Sequence, residues 1–382
     1  MAGIYIHIPF CKQRCIYCDF YSTTFGEEIK QKYVEAVQTE LRIRSNEIPD
    51  KKVQTIYFGG GTPSLLSPLQ IELILTTIQQ LFHVEKEAEI TLEANPDDIN
   101  NNYVETLKRI GINRVSLGIQ TFSPELLRIL RRRHTAEQAK EAVMTLFNNG
   151  ITNISIDLIY GLPGQDLRTW QEDLAKAFEL PITHISSYAL SYEPGTAITQ
   201  MLEAGKIKET TDETLTQMYR ELCDTARQNG FVQYEISNFS RPSYHSRHNS
   251  SYWQFLPYLG IGSGAHSYDG NRIRRNNLPD IKGYIQNLST GDDTPFECEE
   301  LNESELLDEF IMLSLRTSKG ILIADLKQKC EEKVFTKVEK LILKYIDNQY
   351  GEISPEGYFY FTTKGLIISD YLISEILSKL DD

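Results

Sequence analysis

The stretch PFCKQRCIYCDFYS, residues 9–22, carries three cysteines close together, and its chemistry governs how the rest of the chain is interpreted. Cys11, Cys15 and Cys18 follow the spacing C-x3-C-x2-C. A closed four-thiolate site needs one more nearby cysteine. The other three cysteines are isolated and far away in sequence: Cys223, Cys298 and Cys330. Three thiolates can hold three irons of a cubane cluster and leave the fourth iron open, so the stretch predicts a reactive iron–sulfur site.

A zinc site is the alternative interpretation of the same cysteines, with Cys15 and Cys18 as half of a zinc ribbon. Such a site needs a second pair of ligands, and neither C-x2-C nor H-x3-H recurs in the sequence. His7 is close by, but it lies inside an apolar strand pattern and is expected to be a packed side chain. The cysteine spacing therefore favours an iron–sulfur cluster over zinc.

Length and composition predict an ordinary globular protein. The chain has 382 residues, 41% hydrophobic and 24% charged, which suits one large α/β domain and a smaller one. No apolar run is long enough to span a bilayer, and the first residues show no secretory signal. We therefore expect a cytoplasmic protein that does not span the membrane, although contact with a membrane surface stays open. The net charge of -14 argues against nonspecific nucleic-acid binding.

Strand and helix patterns alternate through the first half of the chain. The predicted strands are residues 4–8, 53–58, 88–94, 114–120, 153–160 and 184–190. The predicted helices are residues 27–45, 68–82, 100–110, 124–131, 136–149 and 166–179. Apolar strands separated by helices imply a parallel sheet covered on both faces. Six such units fit a partial barrel, with its chemistry at the carboxyl ends of the strands, where the cysteine loop follows the first strand.

The alternation ends near residue 200. The next predicted features are a helix at 211–229, a strand at 233–237, a polar and aromatic loop, a glycine-rich stretch at 259–270 and a linker at 289–300. From about residue 300, three helices, a hairpin at 351–365 and a last helix resemble a small winged-helix domain. The predicted parts are a partial barrel at 1–200, a barrel extension at 201–290 and a winged-helix-like α+β domain at 300–382.

A second motif, GGGTPS at residues 59–64, directly follows the second predicted strand. Glycines at a strand end let the backbone approach a ligand closely. The motif has no P-loop lysine and does not match G-x-G-x-x-G. Taken alone it could equally be a tight strand–helix turn. Its position beside the cysteine loop favours ligand binding.

The run CKQRCIYC followed by GGGTPS resembles the radical S-adenosylmethionine (SAM) superfamily. Within it, YIHIPFC, YFGGGTPS, LEANP, SLGIQTF and SIDLIYGLPGQ together resemble the HemN/HemW group, the oxygen-independent coproporphyrinogen oxidases and their relatives. The resemblance covers nearly the whole chain. It implies a partial (β/α)6 barrel and a [4Fe-4S] cluster on Cys11, Cys15 and Cys18. SAM would bind the open iron through its amino and carboxylate groups.

The resemblance also implies SAM contacts at the matching positions. These are Tyr5, Gly60, Gly61, Thr62, Glu93, Gln120, Arg132, Asp157 and Ala189. The glycines and the threonine would face the methionine amino group, and Glu93 would be the carboxylate partner of the cationic ligand. Asp157 suits ribose hydroxyls, and Ala189 would pack against adenine. Isolated charged residues are usually solvated surface groups, but these follow successive strands. Arg132 is flanked by two further arginines, so its register stays open.

Two departures weaken the oxidase interpretation. The oxidases of the group carry a further cysteine two residues after the third, where this chain has Phe20. They also carry an extension ahead of the first strand, and this sequence begins almost at that strand. Both differences favour the haem-chaperone branch of the group.

The segment HNSSYW at residues 248–253 matches the HNxxYW motif of that haem-chaperone branch, HemW. The resemblance implies haem contacts at His248, Asn249, Tyr252 and Trp253. Imidazole is a good axial ligand for haem iron, and aromatic rings offer flat apolar walls. A histidine in a polar loop is nevertheless often structural, and the covalent C-x-x-C-H signature is absent. His245 and His266 are the alternative ligands.

A group of three arginines in an acidic chain suggests one more contact with haem. They are Arg272, Arg274 and Arg275. Arginine forks suit carboxylates, so they are candidates for the haem propionates. A solvated turn is the alternative interpretation.

The expected function is a haem chaperone of the radical SAM superfamily. It would bind haem, a [4Fe-4S] cluster and SAM, and transfer haem to acceptor haemoproteins of the respiratory chain. The alternative is an oxygen-independent coproporphyrinogen III oxidase acting by radical decarboxylation. A structural iron–sulfur or zinc protein is the third class.

Overall fold

The structure is a computed structural model that describes residues 2–380. The chain divides into two compact units. The first comprises Met1–Leu215 and Ser246–Glu300, and the second comprises Thr216–His245 and Leu301–Asp382. Residues 216–245, which fall within the predicted extension at 201–290, are thus grouped with the C-terminal residues.

Six parallel strands form the centre of the first unit. They are Ala2–Ile8 (β1), Lys52–Gly60 (β2), His83–Ala94 (β3), Arg114–Gln120 (β4), Asn153–Tyr160 (β5) and His184–Ala189 (β6). Each pairs in parallel with the next, and the register places Tyr5 of β1 opposite Tyr57 of β2. The side chains of Ile4, Ile6 and Ile8 are fully buried. All six predicted strands are confirmed, as is the α/β class.

Helices cross between the strands where the sequence predicted them. They are Glu27–Ile43, Pro68–Leu81, Asn101–Arg109, Pro124–Ile129, Ala136–Asn148 and Leu167–Phe178. After β6 come Asp212–Gln228, which was also predicted, and Ala197–Glu203, which was not. Short 3-10 turns are Pro49–Lys51, Pro63–Leu65 and Pro96–Asp98. Two of the helices begin with a capping box, in which Ser67 pairs with Gln70 and Thr135 with Gln138. These local signals explain why the helix bounds were predictable.

The order of the six strands in the sheet is the same as their order in the chain. Crossovers between parallel strands are right-handed, so an unreversed order returns every helix to the same side. Consecutive crossover helices such as Glu27–Ile43 and Pro68–Leu81 do contact each other. The crossover helices therefore form one layer on one face of the six-stranded sheet, and the expectation of helices on both faces is wrong. The prediction of a partial barrel is confirmed.

Four further strands extend the sheet on the other side of β1. They are Tyr258–Ile261, His266–Tyr268, Ile273–Asn277 and Phe296–Glu300, with a helix at Ile281–Thr290. The first of them pairs in parallel with β1, and the others continue antiparallel. The linker predicted at 289–300 is therefore wrong in its last five residues. The edge strand places Glu299 opposite Arg274 in the register, and the Arg275 guanidinium lies over the Phe296 ring, 3.7 Å from its centroid.

The stretch expected to be a polar and aromatic loop contains a helix, Arg247–Trp253. The Ser246 side chain accepts a hydrogen bond from the Asn249 amide and caps its first turn. The buried carboxylate of Glu89, on β3, accepts from the amides of Arg247 and His248 at 3.1 Å each. An acidic group at a helix start stabilises the exposed amides there. This short helix forms because a distant strand supplies its partner, which local sequence patterns do not reveal.

The second unit carries the predicted C-terminal arrangement. Its helices from residue 301 onward are Glu303–Leu315, Ile323–Lys329, Glu332–Asp347, Thr363–Leu366 and Ser369–Leu377. A small antiparallel sheet has the strand order Ile321–Leu322, Tyr358–Phe361, Gly351–Ile353. Two short strands, Val232–Glu235 and Asn238–Ser240, also belong to this unit. The winged-helix-like prediction is confirmed, with the last helix in two pieces.

None of the helices in residues 2–380 is long and apolar enough to cross a membrane.

Candidate functional site

A cavity of about 540 Å³ lies at the carboxyl ends of the parallel strands. It brings together most of the site residues predicted from the sequence. Those lining it are Cys11, Cys15, Cys18, Gly61, Thr62, Glu93, Gln120, Arg132, Asp157 and Ala189. Tyr5 and Gly60 do not line it, and neither do His248, Asn249, Tyr252 and Trp253. The predicted cluster and SAM residues are thus one spatial group, and the predicted haem residues are another.

The three cysteines of the cluster loop are free thiols at the cavity wall. Two of these thiols receive hydrogen bonds from residues outside the cysteine loop. Thr62 Oγ1 of the GGGTPS motif donates to Cys11 Sγ at 3.5 Å, and Arg132 Nη1 donates to Cys15 Sγ at 3.2 Å. Within residues 2–380, no three His, Cys, Asp or Glu side chains surround a single point closely enough for one metal ion. Thiolates of an iron–sulfur cluster bind different irons, and hydrogen bonds to their sulfurs tune it. The donor set fits such a cluster.

The glycine motif runs tightly against the first strand and the cysteine loop. Gly60 has a φ of +106°, and a Cβ there would lie 2.5 Å from the ring of His7. A Cβ on Gly61 would lie 2.8 Å from the carbonyl oxygen of Phe10. His7 itself is only 4% exposed and hydrogen-bonds the Tyr21 carbonyl through Nε2, so the prediction of a packed side chain is confirmed. The turn thus keeps its backbone next to the cavity.

Glu93 presents a carboxylate at the end of β3. The Tyr57 hydroxyl donates to its Oε1 at 2.7 Å, and the Gly60 amide donates to its Oε2 at 3.2 Å. Burial raises the pKa of Glu93 to about 7, although the hydrogen bonds from Tyr57 and Gly60 act in the opposite direction. A nearby cation would lower that pKa and favour the anion. Glu93 is therefore suited to a positively charged ligand.

Asp157 supplies a second buried carboxylate, on β5. Ser116 Oγ donates to its Oδ1 at 3.2 Å. Burial raises the pKa of Asp157 to about 6, opposed by hydrogen bonds from Ser116 and Ser186. A carboxylate held this way can accept hydrogen bonds from ligand hydroxyls.

The run of arginines at 131–133 divides between three environments. Arg132 points inward and donates to the Asn95 side chain and the Gly118 carbonyl as well as to Cys15. Arg133 forms ion pairs with Asp97 and Asp98, at 3.1 Å each. Arg131 is exposed and has a left-handed backbone, with φ of +55°. Of the three, Arg132 is the one that reaches the cysteine loop.

His248 is 2% exposed, and both of its ring nitrogens are hydrogen-bonded. Nδ1 lies 2.7 Å from Thr55 Oγ1, and Nε2 lies 2.8 Å from the Tyr252 hydroxyl. Burial lowers the pKa of His248 to about 3, with a smaller contribution from the Arg114 charge, so the ring is neutral at physiological pH. In this conformation an iron could bind the imidazole only by replacing one of these hydrogen bonds.

The other haem candidates lie in different surroundings. Asn249 and Trp253 are half-buried on the neighbouring face of the helix. His245 is exposed and stacks on Tyr234 at 4.4 Å between centroids. His266 is exposed. The sequence therefore identified one segment whose four predicted residues lie on two helix faces.

The arginines proposed for haem propionates are partly engaged. Arg275 binds Asp293 through both terminal nitrogens, at 2.8 and 2.9 Å. The Arg274 guanidinium lies 5.3 Å from the centroid of the Tyr268 ring. Both terminal nitrogens of Arg275 therefore already have a carboxylate partner within the protein.

Some polar residues that line the cavity were not predicted from the sequence, among them Tyr57, Asn95 and Ser116. Each lies inside a motif already noticed. Side chains two apart in a strand share a face, and Ser116, Gly118 and Gln120 all line the cavity. Strand periodicity would have found Ser116. Asn95 lies two residues after Glu93 in the LEANP motif, and both side chains line the cavity, so the same periodicity would have found it.

Comparisons with known proteins agree with this architecture. The profile of the radical SAM superfamily matches residues 5–177, and that of the HemN C-terminal domain matches residues 301–368. The chain is 35% identical to a Heme chaperone HemW of Lactococcus lactis, over 99% of this chain and 97% of that protein. It is 32% identical to a Heme chaperone HemW of Bacillus subtilis, over 100% of both chains.

Among solved structures, the coproporphyrinogen III oxidase HemN from Escherichia coli superimposes with a TM-score of 0.83. The match covers 100% of this chain and 90% of HemN at 23% identity, so it establishes the fold. The family relationship comes from the full-length relatives together with the two profiles. The chain belongs to the radical SAM superfamily and, within it, to the HemW family.

Proposed function

We propose that this protein is a haem chaperone that holds a [4Fe-4S] cluster and SAM in its cavity and binds haem as cargo. It delivers the haem to acceptor haemoproteins of the respiratory chain. The observation that carries the proposal is the full-length relationship to proteins named Heme chaperone HemW. The grouping of ten predicted cluster and SAM residues around one cavity supports the cofactor part.

Cys11, Cys15 and Cys18 hold the cluster, which supplies one-electron reduction when it is bound. Thr62 and Arg132 keep two of the sulfurs in place by donating hydrogen bonds to them. These donors come from two motifs far apart in sequence, so the loop is held from two sides. The compartment we propose is the cytoplasm, where thiols at an open site stay reduced.

The remaining cavity residues bind and orient SAM. Glu93 attracts the cationic end of the ligand, and Gly61 lets the backbone come close to it. Asp157 accepts hydrogen bonds from the ribose hydroxyls. The left-handed backbone of Gln120, with φ of +71°, turns the chain at the end of β4 and beside the cavity. Ala189, at the end of β6, leaves room for the adenine.

The haem contacts that we propose come from the 248–253 segment. Asn249 and Trp253, each one position along the helix from His248 and Tyr252, are half-buried, so part of each side chain is open to a flat ligand. The indole N–H of Trp253 is buried and has no hydrogen-bond partner within residues 2–380. An unsatisfied buried donor is costly, and a polar group of the cargo would satisfy it. His248 and Tyr252 belong to the same candidate site only if their mutual hydrogen bond opens.

The second candidate function is porphyrinogen decarboxylation, favoured by the fold shared with HemN. Phe20 lines the cavity and is 63% exposed at the position where the oxidase pattern carries a further cysteine. An apolar side chain there cannot ligate iron, so this residue favours the chaperone.

Anaerobic reconstitution distinguishes the two functions. The protein, loaded with iron and sulfide, is assayed for haem binding by absorbance and, in parallel, for conversion of coproporphyrinogen III with SAM and a reductant. Tight haem binding without porphyrinogen turnover supports the chaperone, and robust decarboxylation contradicts it. A Cys11→Ser/Cys15→Ser/Cys18→Ser variant serves as the control that lacks the cluster.

A further inference from the structure

Two aromatic rings, those of His248 and Tyr5, lie behind Tyr57, which lines the cavity. The imidazole of His248 stacks on the Tyr57 ring, with centroids 5.1 Å apart and planes inclined by 22°. Tyr5 completes the group, 6.1 Å from Tyr57 and 6.4 Å from His248. Stacked rings attract one another beyond the area that they bury. The position of the Tyr57 ring is therefore set by His248 and Tyr5.

The imidazole is itself fixed by neighbouring polar groups. A neutral ring has one N–H donor and one acceptor nitrogen, and both are used, toward Thr55 and Tyr252. The backbone amide of His248 is bound by Glu89 at 3.1 Å. Gly3 leaves the room that the ring needs, since a Cβ there would lie 2.7 Å from Thr55 Oγ1 and 3.0 Å from the imidazole. Such a ring has little freedom to turn.

Tyr57 connects the imidazole of His248 to the cavity. Its hydroxyl donates to Glu93 at 2.7 Å, and the cavity is lined by both residues. The hydrogen bond requires the ring to lie at a particular depth and tilt, because donor geometry weakens steeply away from linearity. Displacing the imidazole leaves the Tyr57 ring unsupported on one side.

We infer that His248 is a positioning residue for the SAM site: it holds the Tyr57 ring so that the tyrosine hydroxyl orients the Glu93 carboxylate. Under this inference the histidine of the HNxxYW segment serves the cofactor cavity from behind, and the outward face of the same helix is left for cargo. The inference rests on the proposed function in one respect, that the cavity binds SAM.

The test is a double-mutant cycle on SAM affinity, measured by equilibrium binding to the reconstituted protein. His248→Ala and Tyr57→Phe are each expected to weaken SAM binding about tenfold, since each loses the alignment of one charged hydrogen bond. Because His248 acts through Tyr57, the double variant is expected to bind as Tyr57→Phe does, within about twofold. Effects that multiply to about a hundredfold contradict the inference, as does unchanged affinity in His248→Ala.

A conservative substitution separates positioning from general support of the fold. His248→Phe keeps a ring against Tyr57 while losing both hydrogen bonds, and it is expected to restore affinity to within about threefold of the wild type. It also keeps the test available if His248→Ala does not fold. Affinity in His248→Phe as low as in Tyr57→Phe contradicts the inference. The matched control is His184→Ala, a buried histidine whose Nδ1 lies 2.8 Å from Ser155 Oγ and which does not line the cavity.

Haem binding by the same variants gives the independent readout. The inference predicts that SAM affinity follows the ring at position 248, weakened in His248→Ala and restored in His248→Phe, whatever the haem spectrum of these variants. SAM affinity that instead falls in step with haem binding across the variants contradicts it. A wild-type protein that binds no SAM contradicts the proposed function itself. If the wild type binds SAM but the effects of His248→Ala and Tyr57→Phe on SAM affinity multiply in the double variant, only the positioning role is contradicted.

Discussion

Arg132 donates a hydrogen bond from Nη1 to the sulfur of Cys15 over 3.2 Å, although 117 residues separate them in the chain. The same guanidinium also donates to the Asn95 side chain and to the Gly118 carbonyl. One side chain thus joins the cysteine loop to the ends of β3 and β4. This contact links the predicted cluster site to the predicted SAM site.

Replacing Arg132 is expected to weaken the fold and cluster assembly together. Arg132→Gln leaves the Asn95 oxygen and the Gly118 carbonyl without their donor, which costs about 1–3 kcal/mol in the free energy of unfolding. Iron and sulfide content after anaerobic reconstitution is expected to fall as well. Denaturant unfolding and iron analysis measure the two effects. The control is Arg131→Gln at the exposed neighbour, which should change neither the free energy of unfolding nor the iron content. If Arg132→Gln also leaves both quantities unchanged, the proposed role of the Arg132 contact is contradicted.

SAM affinity is expected to rise with pH through neutrality. The pKa of Glu93 is raised to about 7 by burial, so the group is mostly protonated below that pH and anionic above it. The anion attracts the sulfonium cation, which predicts an affinity gain of about tenfold between about pH 6 and pH 8. Equilibrium binding across this range measures it. In Glu93→Gln the affinity should be low and independent of pH, and a steep profile in that variant would assign the titration to another group.

Replacing Asp157 is expected to stabilise the protein while impairing SAM binding. Its pKa of about 6 in the folded protein lies above the ordinary value of 3.8, so the folded protein binds more protons and loses stability as pH rises through that window. At neutral pH the buried carboxylate of Asp157 destabilises the folded protein to its full extent, and Asp157→Asn should raise the free energy of unfolding by about 1–3 kcal/mol. Denaturant unfolding at about pH 5 and pH 8 checks the sign, because the gain should be larger at the higher pH. A variant that is less stable at neutral pH contradicts the prediction.

The glycine turn is expected to tolerate no side chain. Gly60→Ala places a methyl group 2.5 Å from the His7 ring in a left-handed backbone, and we expect a loss of about 1–3 kcal/mol together with loss of SAM binding. Gly26→Ala is the matched control, since a Cβ there meets nothing within 4 Å. Thermal unfolding compares the two variants. Equal melting temperatures would show that the turn is not closely constrained.

Haem affinity is expected to depend on the outward face of the 248–253 helix. Trp253→Ala removes a half-buried indole, and a weakening of haem binding by about tenfold follows from the loss of one aromatic wall. Absorbance titration with haem measures it, with SAM affinity as the internal control that should stay unchanged. If Trp253→Ala binds haem like the wild type, the cargo lies elsewhere, and His245 and His266 become the candidates.

Sequence patterns were sufficient for most of the first unit. The strands Arg114–Gln120 and Asn153–Tyr160 have the bounds that their apolar patterns predicted. Capping residues such as Ser67 and Thr135 mark helix starts locally. Where the forming interactions are within a few residues of one another, local patterns carry the information.

The features that the sequence did not reveal depend on distant partners. The helix Arg247–Trp253 is capped by Glu89, which lies 158 residues before Arg247 in the chain. The edge strand Phe296–Glu300 has an acidic composition typical of a linker and forms against the arginines of Ile273–Asn277. The burial of His248 depends on Thr55 and on the space beside Gly3. None of these contacts leaves a periodic signal.

Haem transfer is the most direct test of the proposed chaperone function. The anaerobically reconstituted protein, loaded with one equivalent of haem and supplied with SAM, is mixed with a haem-free respiratory haemoprotein, and the acceptor's spectrum is followed. We expect haem to move to the acceptor and coproporphyrinogen III to be left unconverted in a parallel reaction. Haem that stays on the protein, or decarboxylation of the porphyrinogen, would contradict the proposed chaperone function.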